Sequence, residues 1–235
     1  MAGLCWMAVV LVFSLSVGNT EAMDQNKLEK IVKYIMDTYS TKTNSGHIKH
    51  YSLAVNIPEN QDLNRLQDLF KADDLKKKEV YTSTIVVTAR PLKHEHAEAR
   101  VLANIQPLAD SSEGKSLVFY SYLSPCGHKC TDPEHDDNIL KLINETFPKG
   151  KWAEHVFVFS TIYIDQNHEL SDDEIRDVLK KLGGTALHYN IFRCDNSYNA
   201  QASDHSGPFQ CIKCFSNGAP EPFDERCIKK EFIQT

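Results

Sequence analysis

Two short stretches of the chain carry residue types that can hold a metal and move protons. His96-Ala97-Glu98 sets an imidazole two positions before a carboxylate. Ser124-Pro125-Cys126-Gly127-His128-Lys129-Cys130 sets two thiols on either side of three intervening residues. One imidazole and two thiolates form a donor set of the softness that zinc takes. Three protein ligands, His96, Cys126 and Cys130, leave a fourth position for water, which is the mark of a catalytic rather than a structural zinc site. Glu98 would stand beside that water without being a ligand, placed to take a proton from it and return one to a leaving amine. Alone, a C-x-x-x-C pair reads equally well as a disulfide, and an H-x-E tripeptide is common. Zinc chemistry is specified by the two together, separated by one predicted helix and one predicted strand. His128 is the alternative ligand in the second stretch and is read as a loop histidine.

Those residues need elements to position them. Apolar residues at helical spacing predict helices over 24–39, 61–71, 96–106, 136–147 and 171–182. The last of these opens with a capping box, Ser171 and Glu174. Alternating or continuous apolar runs predict strands over 50–57, 80–89, 116–123, 155–164 and 185–192. Helices and strands alternate, so the class is α/β with at least part of the sheet parallel. His96 and Glu98 open a helix in this scheme. The cysteine segment follows the most apolar strand, the one expected at the sheet centre.

The remaining chain bounds the setting. Residues 4–17 are nearly unbroken apolar sequence, too short to span a bilayer and followed by Gly18-Asn19-Thr20-Glu21-Ala22. Residues 1–22 are therefore read as a signal peptide, cut after Ala22 or after Gly18, with 23–193 as the domain and 194–235 as a cysteine-rich extension. Export predicts an oxidising environment, so Cys194, Cys211, Cys214 and Cys227 are expected to form two disulfides, with the pairing open. A second zinc site is the competing reading of those four. Asn144-Glu145-Thr146 is a glycosylation sequon. The net charge of −6 gives no global attraction to nucleic acid or anionic membrane, and no membrane partner is expected. The run Lys76-Lys77-Lys78 is read as a solvated loop.

The paired segments resemble the zinc signature of the cytidine-deaminase superfamily, H-x-E followed by P-C-x-x-C. The serine before the proline and the separation of the segments are similar to the AID/APOBEC branch. With the signal peptide and the cysteine tail, the resemblance is to secreted AID/APOBEC-like deaminases. It implies a cytidine-deaminase-like fold, a five-stranded mixed sheet flanked by helices, with the histidine and glutamate opening one helix and the cysteines the next. It implies Zn2+ as cofactor and hydrolysis of cytosine to uracil by a zinc-activated water, on single-stranded DNA or RNA, in immune defence. It also implies that the Ser124 carbonyl orients the exocyclic amine, and that the loop at 165–170 reads neighbouring nucleotides; Tyr163 and His168 are read either as stacking groups there or as a strand-end tyrosine and a surface histidine. Two positions depart from the pattern: the cysteines are three residues apart where two is usual, and Leu123 stands where many polynucleotide deaminases carry tryptophan. Two further functions fit the same residues: deamination of a free cytidine or nucleotide, and an inactive, zinc-stabilised binding module.

Overall fold

The computed structural model describes residues 23–70, 79–93, 95–164, 170–197 and 205–230. The predicted signal peptide, the lysine run and His168 lie outside the described residues. The first helix, α1 (Gln25–Tyr39), buries Leu28, Ile31, Val32, Ile35 and Tyr39, the stripe that helical spacing predicts, and Asp24 caps it through the Asn26 N–H. Ahead of it, the Met23 N–H donates to Glu154, which also accepts from Asn190.

Seven strands form one mixed sheet: β1 (Ser52–Pro58), β2 (Val80–Thr82), β3 (Val86–Ala89), β4 (Lys115–Leu123), β5 (Glu154–Thr161), β6 (Ile191–Asn196) and β7 (Phe209–Lys213), in the order β2-β3-β1-β4-β5-β6-β7. The pairs β4/β5 and β5/β6 are parallel and the others antiparallel. Alternation along the central strands divides the core. Val118, Tyr120, Val156 and Val158 face the α1 layer. Phe119, Phe157 and Phe159 face the other, built by α2 (Ala97–Ala103), α3 (Gln106–Asp110), α4 (Ile139–Thr146) and α5 (Asp172–Gly183).

The expectation of five strands is corrected to seven, for two physical reasons. The run at 80–89 is a hairpin, because the Ser83 hydroxyl accepts the N–H groups of Ile85 and Val86 and folds the chain between β2 and β3. The tail supplies β7, which pairs with β6 and is held there by Cys194–Cys211 at directly opposed positions. β6 itself crosses the expected boundary at residue 193. The strand expected over 185–192 begins only at Ile191; the residues before it are turns, with His188 and Tyr189 at φ of 48° and 59°. The helix expected over 96–106 ends at Ala103, because Pro107 cannot donate to the carbonyl four residues back. The segment at 61–71 is a short 3-10 turn, Leu63–Asp68.

The second disulfide, Cys214–Cys227, ties the chain after β7 to the turn Glu225–Cys227. The buried Arg193 guanidinium completes the closure by donating to the carbonyls of Ser160, Arg226, Lys229 and Lys230. The disulfides close loops of sequence separation 17 and 13. Removing either by paired Cys→Ala substitution is expected to cost about 3 kcal/mol, chiefly by freeing the unfolded chain. Denaturant unfolding of the non-reduced protein measures this, and an unchanged midpoint would show that the tail adds nothing to the fold.

Candidate active site

The site forms where the parallel strands β4 and β5 end, the edge at which α/β sheets bind ligands. After Leu123 the chain leaves β4 and is fixed to the end of β5. The Ser124 N–H donates to the Thr161 carbonyl at 2.8 Å, and the Ser124 hydroxyl accepts the Tyr163 N–H at 2.9 Å. Cys126 follows just ahead of a turn over 127–131 that carries Cys130, braced by the Thr131 hydroxyl on the Gly127 carbonyl at 3.0 Å. α4 begins only at Ile139, capped by Asn138. The expectation that the cysteines open a helix is thereby corrected; Pro133 interrupts the segment, and the turns at 131–138 stand between. His96 is the N-cap residue of α2 but makes no side-chain cap bond, because its ring turns toward the cysteines.

His96 Nδ1 lies 3.1 Å from Cys130 Sγ and 3.7 Å from Cys126 Sγ, and the sulfurs are 3.2 Å apart. Both cysteines are buried and reduced. A tetrahedral zinc with its usual bond lengths sets such donors about 3.4–3.8 Å apart, so the group needs only a few tenths of an ångström of expansion. The hydrogen bond from Cys130, joined by one from His96, holds the Cys126 thiol far below its ordinary value against burial. Cys130, donating that bond and buried, is pushed up. The bond to Cys126 raises His96 above its ordinary range, partly offset by burial.

Asp137 supplies a second sign of a metal. Its Oδ1 accepts the His96 N–H at 3.2 Å, while Oδ2 lies 4.0 Å from His96 Nε2, buried and without a hydrogen-bond partner. A metal on Nδ1 fixes the ring proton on Nε2, where this orphaned oxygen can receive it. Donor chemistry, spacing and orphaned acceptor all fit zinc. Asp137→Asn is expected to weaken zinc binding about 10–100-fold. Competition with a chelator measures this, and unchanged affinity would remove Asp137 from the site.

Glu98, only 2% exposed, is on the first turn of α2 and is not one of the three clustered donors. Ser121 donates to its Oε1 at 2.6 Å, and Ser121 in turn accepts from Ser52 at 3.2 Å. His50 Nε2 lies 3.4 Å from Oε2. Burial pushes the carboxyl up, but a charge on His50 and the hydrogen bonds from His50 and Ser121 outweigh it and bring it down to about 2.

A cavity of about 270 Å³ opens onto this group, walled by His50, His96, Ser124, Cys126 and Tyr163. Lys93, Lys129 and the exposed Leu92 stand along it. A larger groove, about 470 Å³, lies between the cysteine turn and α5, but none of the clustered donors lines it, whereas His96 and Cys126 line the smaller cavity. The structure thus brings together His96, Glu98, Cys126, Cys130, Ser124 and Tyr163 of the residues singled out from sequence. His128 is exposed and outside the donor group, its ring 6.3 Å from that of Tyr163. Asn144 is exposed on α4, its side-chain oxygen accepting the Ala186 N–H. Sequence reasoning missed His50, Ser121 and Asp137. The alternating pattern of the strands could have flagged the polar Ser121 on an otherwise apolar run; nothing local marked the other two.

A family model described as secreted novel AID/APOBEC-like deaminase 1 matches residues 25–231. No curated protein and no solved structure matches the chain.

Proposed function

The chain belongs to the secreted novel AID/APOBEC-like deaminase 1 family, and from that premise we propose that it is an exported zinc hydrolase that converts cytosine to uracil in single-stranded DNA or RNA, as a defence against foreign nucleic acid. The observation that carries the reading is the buried His96, Cys126 and Cys130 group with Glu98 beside it, opening on a cavity at the sheet edge. Zinc held by those three side chains supplies Lewis-acid activation of water.

The chain's own residues do the rest. Glu98 takes a proton from the attacking water and delivers protons to the ring nitrogen and the departing amine, so that cytosine and water give uracil and ammonia. The Ser124 carbonyl, at the cavity wall, orients the exocyclic amine. Tyr163 offers a ring against the base. The Ser124 N–H on the Thr161 carbonyl at the end of β5, and the Tyr163 N–H on the Ser124 hydroxyl, hold both in place.

A polynucleotide suits a site that lies open at the surface with Lys93, Lys129 and Leu92 around it and the exposed Ile164 next to Tyr163. The net charge of −6 favours the second reading, a free cytidine or nucleotide as substrate. Export is supported by the two disulfides, which require an oxidising compartment, and by the family's description. Among the described residues no helix is long and apolar enough to cross a membrane. We place residues 1–22 as the signal peptide and a glycan on Asn144.

The test is to make the chain from Met23 through a secretory route and incubate it with cytosine-containing single-stranded DNA, RNA and free cytidine in parallel. Uracil from a polynucleotide is the expected result. Product from cytidine alone moves the protein to the nucleoside reading. Bound zinc with no product from any substrate makes it a binding module.

A further inference from the structure

The partner of Glu98 just ahead of β1 has no place in the mechanism above. β1 pairs with β4 in a register that sets Ser52 against Ser121, and the Tyr122 N–H donates to the Tyr51 carbonyl at 3.0 Å. Continued one pair further, that register puts His50 beside Leu123, at the edge where the cavity opens. His50 lines the cavity together with His96, Ser124, Cys126 and Tyr163, its side chain only 18% exposed. Its Nε2 faces Glu98 Oε2, while its Nδ1 is buried without a partner. Facing a carboxylate, which can only accept, Nε2 is the donor of this contact.

Resting on the deaminase reading, we propose that His50 is a positioning residue of the reaction, fixing the plane of the Glu98 carboxylate. Ser121 holds Oε1 from β4, and His50, in the segment just ahead of β1, sets its Nε2 3.4 Å from both carboxylate oxygens. A carboxylate that serves first the attacking water and then two nitrogens of the base must keep one orientation through the sequence. Two donors from different segments fix it, where one would leave it free to turn about its Cγ–Cδ bond. A misplacement of a fraction of an ångström at such a group costs one to two orders of magnitude in rate.

The experiment compares His50→Ala and His50→Gln with the wild-type protein, zinc-loaded, on free cytidine and on a cytosine-containing single-stranded oligonucleotide. His50→Ala is expected to lower kcat about 10–100-fold, with KM changed less than about threefold and zinc content unchanged. His50→Gln, whose amide can donate to the same oxygen, is expected to recover most of the loss. An unchanged kcat in His50→Ala overturns the proposal, as does a glutamine variant no better than the alanine one. If the wild-type protein turns over neither substrate, the deaminase reading fails by itself and the contact is tested separately. The ¹⁵N resonance of His50 Nε2 in the zinc-loaded chain should then move on Glu98→Gln; a resonance that does not move overturns the contact and the proposal with it.

Discussion

Glu98→Ala is expected to lower deamination about 10²–10⁴-fold while the chain keeps its zinc. The carboxylate is buried, is not one of the clustered donors His96, Cys126 and Cys130, and is held by Ser121 on β4 and by His50 just ahead of β1. Its removal therefore takes the proton carrier and leaves the metal's donors in place. Alanine also strands His50 Nε2 without an acceptor, while the Ser121 hydroxyl keeps the Leu123 carbonyl at 2.8 Å. Glu98→Gln separates the effects: it keeps the shape and can still accept from Ser121, but cannot carry a proton. Both variants should fall to the same low turnover, with elemental analysis showing wild-type zinc. Turnover surviving in the glutamine variant would take Glu98 out of the proton path.

The same carboxylate sets a pH dependence. Its value of about 2 in the folded chain lies below the value of about 4.3 for an unfolded glutamate. The ionised form therefore favours the fold. That contribution is complete above about pH 5 and is lost as pH falls from about 4 toward 2. Unfolding of wild type and Glu98→Gln should accordingly differ most near neutrality and converge in acid.

The second large effect is expected at the cysteines. Cys126→Ala or Cys130→Ala should each abolish stoichiometric zinc and all turnover. Both sulfurs lie within 3.2 Å of each other and face one imidazole nitrogen, so the loss of either leaves two donors. The stability that bound metal confers goes with it, about 2.7 kcal/mol where free zinc stands at a hundred times its dissociation constant. Since zinc takes thiolates and a neutral imidazole, protons compete with it, and acidification should release the metal from the wild-type chain. His128→Ala is the control, because that ring is exposed and outside the donor group. Loss of zinc in His128→Ala, or its retention in the cysteine variants, would mean a different ligand set.

The cluster of His96, Cys126 and Cys130, with Glu98 beside it, was legible in the sequence because each residue lies in a short motif whose spacing means the same in any context. The helices α1 and α5 were legible because their buried stripes are local and strongly periodic. The unread parts are those set by distant chain. Asp137 reaches His96 across 41 positions from an irregular turn, and His50 reaches Glu98 only through the β1/β4 register. β7 is five residues long, too short to show a period, and is a strand because β6 and a disulfide hold it. The hairpin at Ser83 turned on one side-chain hydroxyl within an otherwise strand-like run.

The most direct test of the central claim is to run the reaction in ¹⁸O-enriched water with the zinc-loaded mature chain and to weigh the pyrimidine product. The account predicts uracil carrying one ¹⁸O atom at C4, ammonia released in equal amount, and neither formed by Glu98→Gln. A zinc-loaded, folded protein that leaves every cytosine substrate unchanged, or forms product equally well without Glu98, would contradict it.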